Sequence, residues 1–266
     1  MTQPVLIDAH VHIYPHYDVP EFLQAAWENL TALAKKAGHG DAVRVLLLTE
    51  TAADDAFARL ADGRLAPDGW QVTTYPDDNT ALTLTKGEMA LTLIAGRQIV
   101  TAERLEVHAL ATRKTFIDAE PTQAVLDRLK ANNIPAVLPW GVGKWVGKRG
   151  KIMDALVRKA GTNPGFMLGD NGGRPIGWPR PKPFKTAANL SIPVLPGSDP
   201  LPIIGAEQDV GRFGALVDLD LDMTRPGASL RAALFALRGD VQVVGGRKGP
   251  LAVIRDQRQL RSNRQN

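Results

Sequence analysis

The chain of 266 residues contains no cysteine. That absence removes disulfides, thiolate zinc sites and cysteine nucleophiles together, so any metal bound here must be held by histidine, carboxylate or water. Histidine is scarce as well: His10, His12, His16, His39 and His108 are the only ones. No apolar run approaches the length of a membrane span, and no positively charged stretch followed by an apolar one stands near the N-terminus. The expectation is a soluble cytoplasmic protein with no membrane partner. Internal repeats and low-complexity linkers are missing too, and Gly245-Gly246-Arg247-Lys248-Gly249 lacks the Walker spacing and reads as a turn.

What is present is ordinary in bulk. A hydrophobic fraction of 44% suits a globular fold with a buried core. The formal net charge is +4, and much of the excess sits near the end, at Arg247, Lys248, Arg255, Arg258, Arg261 and Arg264. A basic tail of this kind either touches nucleic acid or an acidic partner, or is simply a solvated end. The second reading is preferred, with a small molecule rather than nucleic acid as the partner and a homo-oligomer left open.

The informative stretch lies at the start, where an apolar run, Val5-Leu6-Ile7, ends in Asp8-Ala9-His10-Val11-His12. In an extended strand alternate side chains share a face, so Asp8, His10 and His12 are expected to point one way while Ala9 and Val11 pack inward. Two imidazoles and a carboxylate brought together suit zinc, manganese or iron, because imidazole binds first-row divalent ions and a carboxylate adds negative charge. The competing reading is a helix-entry loop that carries polar residues by chance.

The same format, a short apolar run finishing in polar or glycine-rich residues, recurs at 43–50, 105–110, 135–141, 165–171 and 192–199. Runs that are apolar on both faces suit parallel strands covered by helices. Between them, 20–37, 51–61, 121–131 and 151–160 show helical spacing, the first entered at Pro20 and stopped at Gly38. Strand and helix alternate, which makes the class α/β, a class in which polar residues at the strand ends gather round the site. The rhythm breaks at 70–101, where threonines alternate with aliphatics around Lys86-Gly87. This predicts an antiparallel hairpin, inserted in the main fold or forming part of a distorted wall. Beyond Asp199 the pattern is a glycine-punctuated stretch to Leu221, a helix over 228–237 and a strand over 241–244, while 174–183 reads as an ordered surface loop.

With Asp8-Ala9-His10-Val11-His12 on the first strand and Gly197-Ser198-Asp199-Pro200 on a late one, the chain resembles the amidohydrolase-like superfamily of metal-dependent TIM-barrel hydrolases. The resemblance implies a distorted (β/α) TIM-like barrel with an antiparallel β-hairpin insertion. It implies one domain over 1–244, with the β-insertion at about 70–101, followed by a basic C-terminal segment over 245–266. It also implies a metal held by His10, His12 and Asp199, with Asp199 orienting or deprotonating the attacking water. His108, near the end of a central strand, is either a further ligand or a hydrogen-bonded core histidine. Binuclear members use four histidines, or three and a carboxylated lysine; here Lys144 lies in a loop past its strand and receives no bridging role. One divalent ion is therefore expected, zinc before manganese or iron, with complete loss of the metal as the alternative. The polymerase and histidinol phosphatase (PHP) family also begins with paired histidines, but it closes with aspartate and histidine two apart, and Asp199-Pro200-Leu201 has no such histidine.

Around this centre, Asp170 in Asp170-Asn171-Gly172-Gly173-Arg174 is a candidate acid/base or further ligand, with Asn171 and Arg174 as substrate contacts; the alternative is an Asn-Gly turn. The loop carrying Trp140, Lys144 and Arg149 offers cations for a carboxylate or phosphate, or is a surface turn leading into a helix. Glu50 is a candidate support for a ligating histidine, or the start of the next helix. His16 lies in the loop after the first strand and has no assigned chemistry. The function expected is a metal-dependent hydrolase or related lyase acting on a small, anionic substrate through a metal-activated water. The alternatives are a catalytically degenerate barrel that binds a ligand or protein, and a PHP-type phosphoesterase.

Overall fold

Strand β1 (Gln3–Val11) forms from a run in which both faces are apolar, and burial on both faces fits its place as an inner strand of its sheet. The structure, a computed structural model, describes residues 2–161 and 165–263. After β1 come α1 (Val19–Lys36), β2 (Val43–Leu48), α2 (Ala56–Ala61), β3 (Gln71–Tyr75), β4 (Asp78–Lys86), β5 (Met89–Ile94), β6 (Gly96–Val100) and β7 (Glu106–Leu110). Then follow α3 (Thr122–Ala131), β8 (Ala136–Pro139), α4 (Gly147–Lys159), β9 (Phe166–Asn171), α5 (Lys182–Asn189), β10 (Val194–Gly197), β11 (Phe213–Leu219), α6 (Pro226–Ala236), β12 (Gln242–Gly245) and α7 (Pro250–Asn263).

The strands divide into a seven-stranded sheet, ordered β12-β11-β1-β2-β5-β4-β3, and a five-stranded sheet, ordered β10-β9-β8-β7-β6. Pairing is mixed. β1 runs parallel to β2, β2 to β5, β8 to β9 and β9 to β10, whereas β11 is antiparallel to both β1 and β12, and β6 to β7 to β8 is antiparallel as well. The α/β class is therefore right and the TIM-like barrel is not. A barrel needs each strand paired on both sides, and here, among the described residues, the two sheets are joined along their edges by isolated backbone bonds such as Gln98 N–H to Glu50 O (2.8 Å) and Asp199 N–H to His10 O (2.9 Å) rather than by a continuous ladder. The apolar runs misled because they report coverage, not closure. Val5, Ile7, Ala9, Val45 and Leu47 from the larger sheet meet Val137, Met167 and Leu195 from the smaller one in a shared interior.

Each sheet also has a helical layer outside it. Asp18 caps α1 by accepting Glu21 N–H at 2.9 Å, Pro20 lies in its first turn, and Phe22, Leu23, Ala26, Leu30 and Ala34 pack on the seven-stranded sheet. α3, α4 and α5 cover the five-stranded sheet through Val125, Leu129, Met153, Val157 and Phe184.

The hairpin at 70–101 forms as β4 and β5, but it is not an insertion on a barrel. β5 pairs directly with β2, so β3 to β5 complete the larger sheet, while β6 belongs to the smaller. Residues 174–183 read as a loop because of their prolines; Pro181-Lys182-Pro183 instead opens α5, since proline is compatible with a first helical turn. In the basic C-terminal segment, β12 ends at Gly245 and α7 follows; Arg264 lies outside the described residues. No helix among the described residues is long and apolar enough to cross a membrane.

Candidate metal centre

Strict alternation fails inside β1, and this failure builds the site. Three steps along β1, from Asp8 to Val11, match two along β2, from Leu46 to Leu48. The extra residue is a bulge, which shifts the facing of every side chain after it by one. Leu6 and Val11 accordingly share the core under α1, whereas Ile7 and Ala9 face the interior between the sheets. Asp8 is thereby separated from the two histidines. It is fully buried and accepts bonds from Ser198 N–H (2.8 Å), the Ser198 hydroxyl, Gly211 N–H (2.8 Å) and His10 N–H (3.3 Å). Burial pushes its carboxyl up to about 6, with these donors opposing the rise. Asp8 thus ties β1 to the end of β10, one residue before Asp199.

The close approach of β10 requires glycine, since a Cβ on Gly197 would overlap the backbone and Cβ of His10. The next residues bring Asp199 round with a left-handed φ of 50°, a conformation that aspartate tolerates better than most side chains. His10 Nε2 and His12 Nε2 lie 3.0 Å apart, and Asp199 Oδ1 lies 3.3 Å from the first and 3.8 Å from the second. One ligand atom from each of the three falls within 4.8 Å of the others, a group able to hold a metal ion. Asn171 donates to the other oxygen of Asp199.

The electrostatics favour ligation. Burial drives the His10 imidazolium down to about 4 against the attraction of Asp199, and His12 is lowered for the same reason. Both rings are therefore neutral near pH 7, with lone pairs to offer. Burial alone would raise the Asp199 carboxyl; the imidazoles and the bond from Asn171 reverse this and hold it below the ordinary carboxylate value. A cation about 2.0–2.1 Å from each of two imidazole nitrogens places those nitrogens roughly 3 Å apart, as His10 and His12 are. The donor set therefore fits a divalent ion, and its open side faces a cavity of about 380 Å³.

His108 is fully buried with its ring 4.2 Å from that of His10, yet its Nε2 faces Gln98 Oε1 at 3.3 Å and its Nδ1 has no partner among the described residues. It stands behind the trio and is not one of its three donors. Lys144 and Arg149 line the cavity. Lys144 is paired with Glu106, and Arg149 is held by Gly143 O (2.7 Å) and Arg104 O (3.3 Å) without a carboxylate partner among the described residues. Asn171 also lines it.

Asp170 and Arg174 do not meet the histidines. Neighbouring strand residues face opposite sides, so Asn171 turns inward while Asp170 turns outward into a two-point ion pair with Arg174 (2.7 and 2.6 Å) that borders a different groove. Trp140 is packed in the core under the helices rather than in the cavity. Glu50 accepts Phe57 N–H (2.7 Å) at the start of α2 and pairs with Arg97 (3.2 Å); it supports no histidine. Sequence reasoning missed Gln98 and Glu106, which line the cavity from β6 and β7. The signal was there, because Glu106 lies two residues before His108 and shares its face. It also missed α7, whose Val253, Asp256, Gln257 and Leu260 form another wall.

No protein-family model matches this chain, and no curated protein matches it either. Among solved structures, PsfC from Pseudomonas syringae PB-5123 is similar in fold, with a TM-score of 0.57 over 98% of this chain and 99% of that one, at 17% sequence identity. The likeness extends over the whole mixed two-sheet fold. The resemblance to the amidohydrolase-like superfamily is overturned with the barrel on which it depended.

Proposed function

We propose that the protein is a single-metal hydrolase acting on a small anionic substrate. The observation that carries the reading is the convergence of His10, His12 and Asp199 on one point at the wall of a polar cavity, with two neutral imidazoles and an ionised carboxylate. These three residues would hold the ion; three protein donors and an open side are the pattern of a catalytic rather than a structural site. A divalent ion there supplies Lewis acidity and makes water nucleophilic near neutral pH. Zinc suits this donor set best, with manganese or iron as substitutes.

The chain's own groups would do the rest. Asp199 offers one oxygen toward the histidines while Asn171 fixes the other, so the carboxylate is oriented to accept a proton from water entering on the cavity side. Arg149 brings an uncompensated positive charge to the cavity and supports an anionic substrate. Lys144, shared with Glu106, offers a second cation when a substrate anion competes with that carboxylate.

Metal analysis of the purified protein tests the reading. About one equivalent of metal is expected, lost in His10→Ala and in His12→Ala, together with hydrolysis of a panel of phosphate esters, carboxylic esters and amides that a chelator abolishes. A protein that binds no divalent ion, or one whose bound ion survives both substitutions, overturns it.

A further inference from the structure

α7 roofs the cavity that holds the histidines and is attached to the rest of the molecule in an unusual way. Val253, Asp256, Gln257 and Leu260, spaced i, i+3, i+4 and i+7, form one face of the helix, and all four line the cavity. The opposite side is bare, with Leu251 83% and Ile254 49% exposed. Of the helix's 14 residues, Val253 and Asp256 are the buried ones. α7 therefore covers the site while resting on little apolar surface, which is the character of an element that opens locally.

Beyond the buried Val253 and the partly buried Leu260, what fastens it is ionic. The backbone of Lys248 is fixed to the body of the protein, donating from N–H to Gly172 O (2.8 Å) and accepting at O from Ile176 N–H (2.9 Å). From that anchor its ammonium reaches Asp209 (2.5 Å), in the segment before β11, and Asp256 (2.6 Å), on the inner face of α7. Asp256 is 2% exposed and receives Arg255 as well (3.3 Å). Gly249 separates the fixed residue from the helix, which begins at Pro250, and it combines glycine's wide backbone range with open space around it.

We propose that α7 is a lid over the histidine-lined cavity, hinged at Gly249 and closed by the Lys248 clasp between Asp209 and Asp256. The inference rests on the cavity being the working site, but its test does not depend on metal or on activity. Opening swings Gln257, whose side-chain amide has no hydrogen-bond partner among the described residues, away from the cavity; closing returns it to face whatever lies beside the histidines. The clasp joins two carboxylates through one ammonium, so loss of Lys248 leaves Asp209 and the buried Asp256 facing each other without their shared cation.

The experiment uses full-length, metal-free protein and diethyl pyrocarbonate, with modification at each histidine read by peptide mass spectrometry alongside hydrogen exchange of the α7 amides. In Lys248→Ala, modification of His10 and His12 should rise at least about fivefold over wild type and α7 exchange should accelerate, while His108, fully buried and outside the cavity lining, stays protected. Asp209→Asn, which leaves Asp256 paired, should give a smaller change in the same direction. If His108 becomes reactive along with the other two, α7 is part of the cooperative fold and not a lid. If α7 exchange accelerates with no change at His10 and His12, the helix does not guard them. If neither changes, Lys248 is no clasp. Each of these three results overturns the proposal, and none of them bears on whether the histidines hold metal.

Discussion

The strand ends that carry His10, His12 and Asp199 are pinned from several directions, whereas α7, which lies across the same cavity, is held by the buried Val253, the partly buried Leu260 and an ionic clasp. On the floor, Asp8 gathers donors from Ser198, Gly211 and His10, Asn171 fixes Asp199, and Gly197 admits β10 against β1. On the roof, burial is confined to Val253 and Asp256, while α1, of similar regularity, buries seven side chains on the sheet. The contrast follows a physical division of labour. On the proposed reading, donor atoms that would share one ion need rigid support, and an element that would admit substrate needs freedom.

Substitutions that break the floor should have the largest effects. His10→Ala, His12→Ala and Asp199→Ala each remove a donor and should lower metal affinity by more than the roughly 10–100-fold that a supporting residue contributes, as read by competition with a calibrated chelator. Asn171→Ala, which frees one oxygen of Asp199 without removing a donor, should fall inside that range. Asp8→Ala should cost about 3 kcal/mol or more of stability in urea unfolding, because it leaves several buried donors without their acceptor. A variant as stable as wild type would show that β10 reaches β1 without this strut.

A smaller effect is expected at Asp78, where the carboxylate on β4 accepts Gly227 N–H (2.6 Å) and Ala228 N–H (3.0 Å) and so caps α6 from a distant part of the chain. Asp78→Ala should cost about 1–2 kcal/mol. Burial alone would raise this carboxyl, but the bonds from Thr80, Ala228 and Gly227 outweigh it and hold it below the ordinary value. The contribution is therefore present at neutral pH and above the unfolded-state carboxyl value, and is lost as pH falls through the lower folded value. The stability difference between wild type and Asp78→Ala should shrink below about pH 4. A difference that persists unchanged to pH 2 would place the capping energy elsewhere. The smallest effect belongs to the outer face of the roof: Leu251→Ser, at 83% exposure, should change stability by less than about 0.5 kcal/mol.

The sequence made the donors legible and the architecture only in part. His10 and His12 were identifiable from their alternation at a strand end, whereas Asp199 was set beside them only by the amidohydrolase-like resemblance; the structure brings the three together on a fold that this resemblance did not imply. Asp8 was read onto the wrong face because a bulge leaves no mark in the alternation of polar and apolar residues. Asp170 was misplaced by one step of the same alternation at the end of β9, where its neighbour Asn171 faces the cavity. β11 was hidden by Gly214, which looks like a break but is required where a Cβ would overlap the Ile7 carbonyl across the strand pair. The barrel expectation failed because runs buried on both faces are common to a closed barrel and to two sheets packed face to face between helices. α7 went unseen because its charge suggested a solvated tail, and its inward face shows only when the cavity is present to receive it.

The central claim is that His10, His12 and Asp199 share one divalent ion. Anomalous diffraction from crystals of the zinc-loaded protein, collected on both sides of the zinc edge, tests it most directly. A single strong peak within bonding distance of His10 Nε2, His12 Nε2 and an Asp199 oxygen is the predicted result. No peak at this position under saturating zinc, or a peak bound to other residues, would contradict it.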